Sequence, residues 1–184
     1  MGYSTKLAQL EQEFHPGVIY GVAGSNGAGK STLLKTLAGE IHPLDSTVTI
    51  GGDDATSTKA IGKVISIATP DFYPDLSIGE HLKLLERTGF LGYDEAVETW
   101  ALGDIVEFSP SQVSSGQQQR SFLASQLGLS SEVYLLDEPE RHLDSNRVEV
   151  LCDVLENKAA NDAIVIIASH STRILSLCHE TIQL

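Results

Sequence analysis

Apolar and polar positions follow two alternating rhythms along the chain. Short runs of apolar, largely β-branched residues mark strands: Val18 to Ala23, Lys63 to Ala68, Glu132 to Leu136 and Ala163 to Ala168. Each is too short for a helix, and Val18 to Ala23 and Ala163 to Ala168 have the composition of buried strands. Ser46 to Ile50 is a further β-branched run, stopped by Gly51-Gly52. Helical spacing fills the intervals. It predicts helices over Ser31 to Ala38 with Gly39 as the stop, Gln117 to Gly128, Val148 to Leu155 with a start near Asp144 or Ser145, and Ser171 to Leu177. Leu7 to Phe14 and Glu180 to Leu184 read as outer strands, and Pro16-Gly17 as a turn. Strands alternating with helices predict an α/β fold with a mainly parallel, helix-covered sheet. Ile78 to Gly103 breaks the rhythm. Leu82, Leu85, Ala96, Val97, Trp100 and Ala101 keep helical spacing without strands, and Gly89 and Gly92 separate two helices. This stretch reads as a small helical insertion, with Trp100 in its core.

Composition narrows the class. The chain has 184 residues, 41% hydrophobic and 20% charged, which suits one globular domain with a real core. No apolar run approaches the ~18 residues of a membrane span. Polar Gln9, Glu11, Gln12 and Glu13 interrupt the N-terminal stretch, so no signal peptide is expected. The net charge of −13 favours solubility and argues against a nucleic-acid partner, which calls for basic patches. Cys152 and Cys178 sit in apolar helical patterns without C-x-x-C spacing, as buried free thiols of a reducing compartment do.

Four clusters carry candidate chemistry. Gly24-Ser25-Asn26-Gly27-Ala28-Gly29-Lys30-Ser31 fits G-x-x-x-x-G-K-[ST], between a strand and a helix start. Glycines let backbone N–H groups turn inward around phosphate oxygens. Lys30 reaches the β- and γ-phosphates, and the Ser31 hydroxyl suits Mg²⁺. Val133 to Leu136 leads into Asp137-Glu138 and Pro139 at a strand end, the edge where open parallel sheets bind ligands. Asp137 suits a water-mediated Mg²⁺ contact and Glu138 the base that activates water. Ser114-Ser115-Gly116-Gln117 opens a helix, as a second phosphate site or as simple serine capping. Ser169-His170 follows a buried strand at the same sheet edge as Asp137 and Glu138.

In this order and spacing the chain resembles the ATP-binding cassette (ABC) ATPases, specifically the nucleotide-binding subunit of ABC transporters, a family of P-loop NTPases. Gly24 to Ser31 looks like the Walker A loop and Val133 to Glu138 like Walker B with its glutamate. Ser114 to Gln117 is similar to the L-S-G-G-Q signature, Leu143-Asp144 to the D-loop and His170 to the switch histidine. The resemblance implies one domain over 1–184, with a catalytic core of about 1–75 and 117–184, a helical part of about 76–116 ending in the signature, and an antiparallel N-terminal β part. It implies ATP and Mg²⁺ as ligands, held by Gly24, Ser25, Asn26, Gly27, Ala28, Gly29, Lys30, Ser31 and Thr32, with Tyr3 stacking on adenine and Ser31 and Asp137 at the metal. Lys30, Glu138 and His170 are the implied catalytic set. Two cassettes, as homodimer or heterodimer, dock head to tail, so that Ser114, Ser115, Gly116 and Gln117 meet the partner's ATP and Asp144 links the two sites. A separate membrane permease docks on the helical insertion, which places the chain in the cytoplasm at the membrane face.

The chain departs from the family pattern in four ways. Ser115 stands where the first signature glycine belongs and Val113 where leucine does; Ala68 or Thr69 holds the place of the Q-loop glutamine; Glu140-Arg141-His142 replaces small residues; and the chain is short. A serine at a position needing φ > 0 would cost roughly 1 kcal/mol or more. These departures keep two other readings in view: a degenerate cassette that binds ATP with slow turnover in a heterodimer, and a non-transport ABC ATPase. The run from Ile19 to Lys35 and Phe72 to Leu76 look nearest to bacterial exporters of drugs or peptides.

Overall fold

Strand β1, Ile19–Ala23, is buried through Val22 because it lies inside a sheet with strands on both sides. The structure, a computed structural model, describes residues 11–44, 47–86 and 92–184. The chain divides into two units: Met1–Ala68 with Ser131–Glu138 and Leu155–Leu184, and Thr69–Ser130 with Pro139–Val154.

The first unit holds a five-stranded sheet of β1, β4 (Val64–Ile67), β5 (Val133–Asp137), β6 (Ile164–Ala168) and β7 (Glu180–Gln183), in the order β4-β5-β6-β1-β7. Every pairing in it is parallel. Val22 pairs with Ala168 and Asp137 also pairs with Ala168, so three strand ends finish abreast. That row fixes the edge where the motifs emerge. Helix α1, Lys30–Leu37, packs on β5 and β6 through Leu34. It ends in a Schellman turn: Gly39 N–H donates to Thr36 O and Glu40 N–H to Lys35 O, with Gly39 at φ +75°, as its place after the helical run predicts. Tyr20, Val22, Leu34, Val133, Leu135 and Ile166 form one buried cluster with Ile50, Ala55, Ala60 and Ala168. The C-terminal helix α6, Thr172–Leu177, precedes the outer strand β7.

Differences from the expected elements have local causes. The run expected from Ser46 contributes only β2, Thr49–Ile50, which pairs antiparallel with β3, Asp53–Asp54, across Gly51-Gly52. Ser46 itself and Asp45 lie outside the described residues. Residues 11–14 form no strand, and Leu7 to Leu10 are also outside. Phe14 is used differently, as an edge-on partner of the Tyr20 ring at 4.9 Å. Cys152 is buried, whereas Cys178 is only half-buried, because it caps the end of α6, where Sγ donates to Ile174 O.

The second unit contains α2 (Ile78–Leu85), α3 (Tyr93–Thr99) and α4 (Ser115–Leu127), which pack on one another. Leu82, Trp100, Leu102, Phe122 and Leu123 are buried there. A reciprocal Ser77–Glu80 box starts α2. Arg120 Nη1 donates to Trp100 O and Ala101 O, satisfying carbonyls at the end of α3, where Ala101 takes φ +47°. Burial pushes the Arg120 guanidinium below its ordinary value, Arg147 acts in the same direction, and Asp144 opposes them. The longest helix, α5, spans Ser145–Ala160.

Candidate nucleotide site

The loop from Ala23 to Lys30 carries two positive-φ glycines that no other residue replaces without strain. Gly27 sits at φ +82°, and Gly29 caps α1 at φ +106° without a side-chain hydrogen bond. The first turn of α1 therefore keeps N–H groups with no intrahelical acceptor and no capping oxygen. With the helix dipole behind them, these groups form a site for an anion. Gly24 is tight for another reason: a Cβ there would lie 3.0 Å from Leu184 O and 3.1 Å from Ala28 Cβ.

Lys30 is buried at the mouth of this loop. Its Nζ contacts Gly24 O at 2.9 Å, Ser25 O at 3.2 Å and His170 Nε2 at 2.9 Å. An ammonium has three protons and accepts nothing, so His170 Nε2 must be the acceptor and carries no proton. The same Nε2 lies 3.9 Å from Glu138 Oε1. That separation exceeds a hydrogen bond, and an unprotonated nitrogen makes no ion pair, so the pair is proximity only. The structure thus brings together three residues from three strand ends: Lys30 after β1, Glu138 after β5 and His170 after β6.

Glu138 is the most constrained of them. It takes φ +49°, a left-handed conformation that costs a non-glycine residue of order 1–3 kcal/mol. Its N–H donates to Ala168 O at 2.8 Å, which extends the β5–β6 ladder by one residue before Pro139, lacking an N–H, ends it. The side chain is one-third exposed, which leaves the carboxylate open to water. Ser31 and Asp137 offer a hydroxyl and a carboxylate, a hard oxygen pair that suits Mg²⁺, an ion that protein groups hold only in part while nucleotide phosphates complete its shell. Among the described residues no group of three or more His, Cys, Asp or Glu side chains forms a self-sufficient metal site.

At the start of α4, Ser114 is the N-cap: its Oγ accepts from Gln117 N, and Gln117 Oε1 accepts from Ser114 N at 2.8 Å. Serine capping is therefore realised, and it leaves the Ser114 hydroxyl proton free to donate. Ser115 is the first helical residue and is not in the left-handed region, so the backbone cost anticipated for a serine there does not arise. The position that excludes a side chain is Gly116, where a Cβ would stand 2.7 Å from His142 O. His142 takes φ +65°, and Asp144 beyond it caps α5, with Oδ1 accepting from Arg147 N at 3.0 Å. Gly116→Ala is expected to destabilise the chain by about 1–3 kcal/mol through backbone overpacking. Urea unfolding measures this, and an unchanged midpoint would mean that the His142 turn does not press on α4.

Tyr3, the expected adenine partner, lies outside the described residues. At the end of β4, Ala68 and Thr69 are exposed and offer no counterpart to a glutamine. The residue that sequence reasoning passed over is Gln119, a buried amide on α4. Its signal is a polar residue on the stripe that also carries Phe122 and Leu123.

Comparison with known proteins agrees with this geometry. The ABC transporter family profile matches residues 7–141. The chain is 30% identical to the uncharacterized ABC transporter ATP-binding protein YybJ of Bacillus subtilis (strain 168), over 98% of this chain and 86% of that protein. It is 30% identical to the achromobactin transport ATP-binding protein CbrD of Dickeya dadantii (strain 3937), over 92% of this chain and 70% of that one. It is 33% identical to the Fe(3+) ions import ATP-binding protein FbpC of Brucella suis biovar 1 (strain 1330), over 78% of this chain but only 43% of the longer relative. Neither cargo-bearing name is that of an exporter of drugs or peptides. The fold matches the ATP binding subunit of an ABC transporter with a TM-score of 0.88 at 23% identity, over 100% of this chain and 82% of that one. It matches the dimeric post-hydrolysis cassette MJ0796 bound to ADP and Pi with a TM-score of 0.83 at 21% identity, over 94% of this chain and 83% of that one. The profile match, the relatives at 30% identity or more and the meeting of Lys30, Glu138 and His170 at one sheet edge together place this chain in the ABC transporter family, among its ATP-binding proteins.

Proposed function

We propose that the chain binds and hydrolyses ATP as the nucleotide-binding subunit of an ABC transporter, closing head to tail on a second cassette and driving a permease made as a separate chain. The observation that carries this reading is the convergence of Lys30, Glu138 and His170 beside an uncapped helix N-terminus. Residues Gly24 to Thr32 would hold the phosphates by backbone N–H groups and the Lys30 charge. Ser31 and Asp137 would hold Mg²⁺, which when bound neutralises charge on the β- and γ-oxygens. Glu138 would orient and deprotonate the attacking water. Phosphate entering the loop competes with Gly24 O, Ser25 O and His170 Nε2 for Lys30, so binding frees His170 to turn to the γ-phosphate. The Ser114 hydroxyl and the start of α4 at Gly116 would face the partner's nucleotide, and Asp144 would join the two sites through the start of α5. Among the described residues no helix is long and apolar enough to cross a membrane. The proposed place of the subunit is the cytoplasmic face of the membrane, beside the permease.

A slower cassette, serving as the ATP-holding half of a heterodimer, is the second reading, favoured by the missing glutamine after β4. Phosphate release by the purified chain with ATP and Mg²⁺ separates the two. Sustained turnover supports the first reading; ATP binding with no turnover, even alongside a co-purified permease, supports the second.

A further inference from the structure

We propose that Gln119 is a positioning residue for hydrolysis, holding the turn in which Glu138 presents its carboxylate. This rests on the reading of Glu138 as the group that activates water. Glu138 occupies a left-handed conformation that its own side chain disfavours, so neighbouring bonds must hold it there. One is its N–H to Ala168 O at 2.8 Å. A second lies one residue on: Gln119 Nε2 donates to Pro139 O at 2.8 Å. Gln119 is 2% exposed. A carbonyl oxygen only accepts, which fixes the nitrogen side of the amide toward Pro139. Pro139 has no N–H, so the peptide after Glu138 cannot anchor itself by donating. Its carbonyl is the remaining handle, and a buried amide with no solvent competitor grips it. Leu143 N–H donates to Glu140 O and closes the turn that follows. The Glu138–Pro139 segment is thus tied on both sides, by the sheet before it and by a side chain after it.

A displacement near 1 Å at a catalytic group costs about 10²-fold in rate, which sets the size of the expected effect. Gln119→Glu replaces the donor with an acceptor of the same shape, and Gln119→Met keeps the length and removes the hydrogen bond. Both are expected to lower kcat for ATP by about 10–10²-fold and to leave KM near the wild-type value. The introduced carboxyl is buried, which raises its pKa, and once protonated its O–H can donate to Pro139 O. Between about pH 8 and about pH 6 the kcat of Gln119→Glu relative to wild type should therefore climb, while that of Gln119→Met stays flat. A role in stability alone would raise the folded fraction of Gln119→Glu over the same range, so urea unfolding is read at both pH values: a kcat ratio that climbs while the variant is fully folded at both is the positioning result, and one that only follows the folded fraction overturns the proposal. Parallel ratios for the two variants, or a raised KM at unchanged kcat, would overturn the proposal. A crystal structure of Gln119→Met gives an answer that needs no activity: Glu138 should leave the left-handed region, and a φ still near its present value contradicts the claim. If the wild-type chain turns over no ATP, the proposed hydrolysis fails on its own, and the backbone at Glu138 alone decides whether Gln119 positions it.

Discussion

Glu138→Gln is expected to lower ATP turnover by about 10²–10⁴-fold, the usual contribution of a positioned general base. ATP affinity should hardly change, because the proposal assigns the phosphates to the loop and Lys30. The amide keeps the shape of the carboxylate and loses only its basicity. In the proposed cycle hydrolysis opens the closed pair, so the variant should also accumulate as an ATP-bound dimer. Size exclusion with light scattering, with and without ATP and Mg²⁺, reads this as a doubling of mass that EDTA reverses. A variant that hydrolyses ATP at the wild-type rate would remove Glu138 from the chemistry. One that stays monomeric with ATP bound would count against the head-to-tail sandwich.

Lys30→Ala is expected to act on the other parameter. Charge-assisted hydrogen bonds contribute about 1.5–3 kcal/mol each, and tenfold in affinity corresponds to about 1.4 kcal/mol. Loss of one contact to each of two phosphates should weaken ATP binding by at least about 10²-fold. Titration calorimetry measures it. The empty protein should tolerate the change, since Gly24 O and Ser25 O lie at an open loop where water replaces the ammonium. Normal affinity in this variant would mean that the nucleotide sits elsewhere. Together the substitutions separate binding from chemistry: the proposal expects Lys30→Ala to act on affinity and Glu138→Gln on rate.

The parallel sheet was readable because covered strands have no alternative composition. Val18 to Ala23 and Ala163 to Ala168 are apolar on both faces, and the structure buries them on both faces. The loop was readable because glycines at positions 27 and 29 and a lysine at the helix start have a geometric reason to be there. The β2 run was read too long, since β-branched Thr47 and Val48 suit a strand but pairing is decided by the Gly51-Gly52 turn. Ser115 was judged by the glycine it replaces, whereas the helix begins at Ser115 and not at Gln117 as expected, which makes the position ordinary. Gly116 is the crowded one, through the carbonyl of His142, which is remote from it in sequence. Nothing local announces the left-handed backbone of Glu138, or the amide of Gln119 that reaches Pro139. Such features arise from pairs distant along the chain, and hydrophobic periodicity carries no record of them.

The central claim is that Lys30, Glu138 and His170 serve one nucleotide, and a crystal structure of Glu138→Gln with ATP and Mg²⁺ tests it most directly. The expected result is a triphosphate in the Gly24–Ser31 loop, with Lys30 Nζ drawn from Gly24 O, Ser25 O and His170 onto phosphate oxygens, and His170 turned toward the γ-phosphate. ATP bound away from this loop, or Lys30 still held by its two carbonyls and His170 with nucleotide present, would contradict it.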